Sequence, residues 1–157
     1  MQDALEHSET VMTTIDSSRP QQATLLGGLI RLVAGVGAML LAQNGVSMLA
    51  MPADWYASVP GVSETGPYNG HFVRDIGIAY LTTAAAFAWG AWRPRPLVFC
   101  FATLFLGLHA GLHLAEYVAH GLPSTHLGTD LAGIFLPPAI AATLALFTHI
   151  RNKETLS

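Results

Sequence analysis

The side chains with chemistry in reach lie in a few short stretches of an otherwise apolar chain. "GPYNGHFVRDIG" at 66–77 sets His71, Arg74 and Asp75 at the mouth of an apolar run. "LHAGLHLAEYVAH" at 108–120 carries His109, His113, Glu116 and His120. On a helix this second set follows i, i+4, i+7, i+11 spacing and falls within an arc of about 60°. His71 and Asp75 make an i, i+4 pair with Arg74 beside it, and Asp130 opens a later apolar run.

Imidazoles and carboxylates converging from several helices are what zinc, iron or copper require. On that reading His71, His109, His113 and Glu116 are candidate ligands of a non-haem metal ion, with Asp75 or Asp130 completing the set. The H-E-x-x-H zinc pattern and the paired E-x-x-H of di-iron bundles are absent. Arg74 also opposes a metal unless Asp75 neutralises it. A haem b held by axial histidines fits less well, because only His109 sits at a suitable depth. A third chemistry is an organic anion or a quinone held by Arg74, His113 and Tyr80 or Tyr117. Glu116 or Asp130 would then carry protons. Arg74, Asp75, Asn44 and Asp130 are therefore candidate ligand-binding residues, although Asn44 equally suits a helix–helix hydrogen bond. The bland counterpart is a set of ion pairs, Arg74 with Asp75, Glu116 or Asp130, that lock helices together with no ligand. No reaction is specified.

The elements that must position these residues are membrane spans. The 157 residues are 52% hydrophobic and 11% charged, where a soluble domain carries about 25% charge; mean hydropathy is +0.44. The net charge of −3 comes with scattered Lys and Arg, which leaves no nucleic-acid footprint. A single cysteine, Cys100, excludes a disulfide framework and a Cys-rich metal site. About 20 mainly apolar residues make a span, and such stretches lie at roughly 24–51, 71–92, 96–119 and 127–150. "RPRP" at 93–96 stops the second, and Pro137 with Pro138 should kink the fourth. The glycines at 27, 28, 35 and 37 read as close-packing residues. One domain is expected, an all-α, four-helix transmembrane bundle over 23–151. A flexible, disordered or weakly helical polar tail (1–22) precedes it and a short tail (152–157) follows. The acidic start lacks the pattern of a cleavable signal peptide.

Arg19, Arg31, Arg93, Arg95, Arg151 and Lys153 mark one side, while the 52–70 and 120–126 loops carry neither Lys nor Arg. The positive-inside rule then places both termini in the cytoplasm and the 52–70 loop outside, with Trp55 and Tyr56 at the interface. Arg31 snorkels inward. The ionisable residues within the spans gather in the outer leaflet, with His120 and His126 at its surface. Facing lipid near mid-span, each would cost about 2.5 kcal/mol or more, so they should face one another in a chamber.

"GPYNGHFVRDIGIAYL", followed by a third span with "LHAGLHLAEY", resembles a group of small bacterial inner-membrane proteins similar in layout to the DoxX-like families. Asn69, His71, Arg74 and Asp75 match the Asn-x-His-h-x-Arg-Asp pattern of that group (h apolar), and His109 and His113 match its third-helix histidines. The resemblance implies a four-span fold in the bacterial inner membrane, with quinone-linked sulfur oxidation associated with some members. Two function classes follow. One is a site binding a metal ion or a small redox-active or anionic ligand. The other is a non-catalytic accessory subunit of a larger membrane complex, with a homo-oligomer a further form of assembly in the lipid bilayer.

Overall fold

A computed structural model describes the backbone of residues 2–121 and 127–154 and the side chains of 24–121 and 127–153. The fold is all-α, with no strand among the described residues. Helix α1 runs over Gln2–Ala50, α2 over Pro52–Ser58, α3 over Gly70–Trp92 and α4 over Pro96–His120, with a 3-10 turn at Val62–Glu64. A last helix starts as α5 (Leu127–Asp130), passes through a π-helical segment (Leu131–Phe135) and continues as α6 (Leu136–Glu154).

Three helical stretches are long and apolar enough to cross a membrane: Thr24–Ala50, Pro96–His120 and Leu127–Lys153. Helix α3 has the length, at 23 residues, but Arg74, Asp75 and two threonines dilute its apolar character. Large apolar side chains, among them Leu32, Met39, Phe101, Leu108 and Val118, face outward. Water-soluble monomers rarely expose so much apolar surface, whereas a multi-pass membrane protein presents it to lipid.

Local chemistry sets the helix ends. Asn69 caps α3, its side-chain oxygen accepting from the His71 and Phe72 amides at 3.1 and 3.2 Å. That satisfies two of the donors a helix N-terminus leaves open. "RPRP" ends α3 and places Pro96 in the first turn of α4, where a missing N–H costs nothing. Before Pro137 and Pro138 the helix widens, and the Leu136 amide donates to the Leu131 carbonyl, five residues back. Two consecutive prolines remove two donors and crowd the preceding turn, and a π turn relieves that crowding. The expected kink therefore takes the form of a π segment just upstream. The polar stretch expected as a tail is helical backbone continuous with α1, since extending a nucleated helix is cheap.

Helices α1 and α3 run antiparallel along most of their shared length. The buried stripe on α1 is Ile30, Ala34, Ala38, Leu41, Gly45 and Met48 at three- and four-residue steps, facing Val73, Tyr80, Ala84 and Phe87 of α3. Gly45 and Gly77 bring the two backbones together: a Cβ on Gly45 would lie 2.8 Å from the Gly77 carbonyl oxygen. Of the glycines expected at close contacts, Gly37 meets the Phe87 ring and Gly27 meets Arg151, while Gly28 and Gly35 face open space. Phe99, Ala102 and Leu106 join α4 to this core, and Ala141 and Leu144 bring in α6. Helix α1 meets the last helix only along α6, without touching the π segment or α5. The two therefore separate toward the end that carries the 51–69 connection.

Candidate functional site

The separation of α1 from the last helix opens a cavity of about 1310 Å³. Its walls come from α1, α3, α4 and the last helix, and the segment from Trp55 to Thr65 covers its end. The roof is tied down: the Trp55 indole N–H donates to Asn44 Oδ1 at 2.8 Å. The Tyr56 hydroxyl donates to the Gly66 carbonyl, and the Tyr56 ring sits edge-on to Tyr68 at 5.3 Å.

Helix α4 supplies the polar wall. Phe105, His109, His113 and Tyr117 recur every fourth residue and form a ladder of rings. Centroids are 6.2 Å apart from Phe105 to His109, 4.9 Å to His113 and 6.3 Å to Tyr117. Tyr80 of α3 meets His109 edge-on at 6.1 Å. His113 Nδ1 lies 3.8 Å from Glu116, whose side chain is 46% exposed. The Tyr117 hydroxyl donates to Asp130 Oδ2 at 2.5 Å, joining α4 to the start of the last helix. Asp130 is only 6% exposed. It sits at the upstream edge of the π segment, a distortion that recurs at functional sites.

His109, His113, Glu116, Asp130 and Asn44 thus reach one cavity, joined by His120 at its edge. Asn44 reaches it with its carbonyl engaged by Trp55. His71, Arg74 and Asp75 are not among the lining residues. His71 pairs with Asp75 at 3.3 Å on the surface, the side chains 87% and 54% exposed. Arg74 Nε donates to the Leu49 carbonyl at 3.3 Å and Nη1 to that of Gly70 at 3.4 Å. Leu49 lies in the last turn of α1, where carbonyls lack helical partners, so Arg74 closes that helix end. Arg31 does the same at the other end, donating to the Ala91 and Trp92 carbonyls of α3 at 3.5 and 3.0 Å.

Among the described residues no group of three or more His, Cys, Asp and Glu comes close enough to hold a metal ion. His126 lies outside the described residues. The ladder pairs each imidazole with a ring on either side, and the His113–Glu116 and Tyr117–Asp130 contacts each engage one carboxylate. Both ion pairs described here lie within a single helix, so neither ties one helix to another. What the arrangement offers is a half-open cavity with apolar walls, hydrogen-bonding rings and three carboxylates, those of Glu64, Glu116 and Asp130. Tyr117 and the Trp55–Asn44 bond carry more of it than their residue types alone indicate. The i+4 step from His113 to Tyr117 and the i+13 step to Asp130 hold the signal for the first. The chain matches no family model, no curated protein and no solved structure.

Proposed function

We propose that the chain is a four-span bacterial inner-membrane protein, akin in layout to the DoxX-like group, that binds a small organic ligand in the cavity under its outward loop. On this reading α3 completes the bundle and both termini are cytoplasmic. All but one of the seven Lys and Arg then lie at the cytoplasmic end, as the positive-inside rule demands. The observation that carries the proposal is the convergence of His109, His113, Glu116, Tyr117 and Asp130 on one cavity. Ionisable groups at membrane depth mark functional sites by default, and an apolar cavity with a few convergent polar groups is the form ligand sites take. A metal ion has less support than an organic molecule, because among the described residues no three His, Cys, Asp and Glu lie close enough to hold one.

The test is direct. Protein purified gently in mild detergent is extracted and its bound small molecules identified by mass spectrometry, beside elemental analysis of the same sample. An organic molecule near one per chain, lost from His113→Leu and retained in Arg74→Gln, is the expected result. Equal retention in both variants, or a stoichiometric metal with no organic ligand, defeats it.

The accessory-subunit reading has one observation in its favour. A shallow groove of about 270 Å³ on the outer face of α3 and α4 is lined by Ala85, Ala86, Trp89, Val98 and Phe101. Small residues on a lipid-facing surface suit contact with another helix. Reproducible co-purification of a larger complex, broken by Ala86→Trp, would support that role.

A further inference from the structure

The cavity wall has a sign. Glu64, Glu116 and Asp130 line it, and among the described residues no Lys or Arg does. The imidazoles of His109, His113 and His120 add charge only when protonated. The aromatic faces of Trp55, Tyr80 and Tyr117 complete the polar end, and such faces attract cations. The opposite end is apolar: Leu32, Val36 and Leu40 of α1 face Leu136 and Ile140 across the gap. Leu32 and Leu40 are more than half exposed, on the side where α1 does not touch the π segment. In a membrane that gap opens sideways into acyl chains.

We infer that the ligand is a lipophilic organic cation that reaches the cavity from the bilayer between α1 and the last helix. The inference rests on the ligand-binding reading above and gives it a substrate class. Carboxylates in a medium of low dielectric favour a positive partner strongly. Anionic amphiphiles, fatty acids and phospholipid headgroups among them, meet like charge there, and among the described residues no guanidinium or ammonium lines the wall. Arg74, the cation expected to hold an anion, is turned to the end of α1.

Two ions of equal size and opposite charge decide the matter. Tetraphenylphosphonium and tetraphenylborate are each titrated into the full chain in detergent at pH 8, where imidazoles are largely neutral. The expected result is saturable binding of tetraphenylphosphonium and none of tetraphenylborate. Glu116→Gln should weaken the cation about tenfold and Glu116→Lys should abolish its binding. Glu116 is half exposed, so both variants should fold, which a thermal melt verifies. Borate binding equal to or stronger than that of phosphonium overturns the inference, as does phosphonium binding unmoved by Glu116→Lys. If neither ion binds while a neutral molecule co-purifies with the protein, the cation class falls and the ligand site stands. If neither ion binds and nothing co-purifies, both fall.

Discussion

Along the seam between α1 and α3, glycines draw the backbones together and each helix end is closed by an arginine from its neighbour. Arg31 covers the last carbonyls of α3, and Arg74 covers one at the end of α1. Along the seam between α1 and the last helix, contact begins within α6 and is lost toward the loop end. Polar side chains there address one another and the cavity between the helices. In the closed seam, polar groups complete the backbone hydrogen bonding that a bilayer demands. In the open seam they line a cavity instead. The charged and titratable residues therefore divide by place: Arg31 and Arg74 at helix ends, and His109, His113, Glu116 and Asp130 at the cavity.

The comparison breaks most easily at Gly45. A Cβ there would come within 2.9 Å of Leu81 as well as meeting the Gly77 carbonyl. Gly45→Ala should lower unfolding stability in detergent by about 2–3 kcal/mol, the range for overpacked sites. Gly35 meets nothing within 4 Å, so Gly35→Ala should raise stability by about 0.5 kcal/mol through helix propensity. Equal effects from the two would mean that α1 and α3 do not approach as described.

Next in size is Tyr117→Phe, which removes one donor from the buried Asp130 side chain. Hydrogen bonds to charged groups contribute roughly 1.5–3 kcal/mol, and partial solvent access at Tyr117 places the expected loss near the lower end. Chemical denaturation in micelles measures it. Combining Tyr117→Phe with Asp130→Asn should cost less than the sum of the two, because they share one contact. Additive losses would show that the contact contributes nothing.

Smaller still is Arg74→Gln. An exposed guanidinium closing a helix end contributes on the order of 1 kcal/mol, and Arg31→Gln at the opposite end should behave alike. Tetraphenylphosphonium affinity should be unchanged in Arg74→Gln, since the residue lies outside the cavity. A large fall in affinity would return Arg74 to the site and erase the division between seams.

Much of this was legible in the sequence, for identifiable reasons. Span lengths and the prolines at 93–96 follow from backbone chemistry alone, so α3 and α4 start and stop within a residue or two of expectation. The facing of His109, His113 and Glu116 follows from helical period and is unaffected by what packs nearby. Arg74 and Asp75 were harder. Helical spacing puts them at the start of α3 and on neighbouring faces, but the choice between a ligand and the orphan carbonyl of Leu49 depends on the rotation of α3 against α1. Gly45 and Gly77 set that rotation, and they lie in separate helices 32 positions apart. Arg31 was legible as a residue at the basic end, and its acceptors were not, for the same reason. The π segment replaces the expected kink because Pro137–Pro138 signals missing donors without fixing how the preceding turn adapts.

The smallest effect on stability should come from Leu136→Trp, and it tests the open seam most sharply. Leu136 lines the cavity yet is about half exposed, at the junction where the π segment returns to α-helix. A larger ring there has space to occupy, so stability should change by no more than about 0.5 kcal/mol, as for substitutions away from packed contacts. Added bulk should nevertheless narrow the gap to Leu32 and Val36, slowing tetraphenylphosphonium entry severalfold in nanodiscs. A matching ring at Ala38, which is buried against α3, should unfold the protein. If Leu136→Trp and Ala38→Trp destabilise alike, the helices meet along both seams and no portal exists. If Leu136→Trp is neutral for stability and for the rate of cation entry, the cavity fills from the aqueous side under the 52–65 segment.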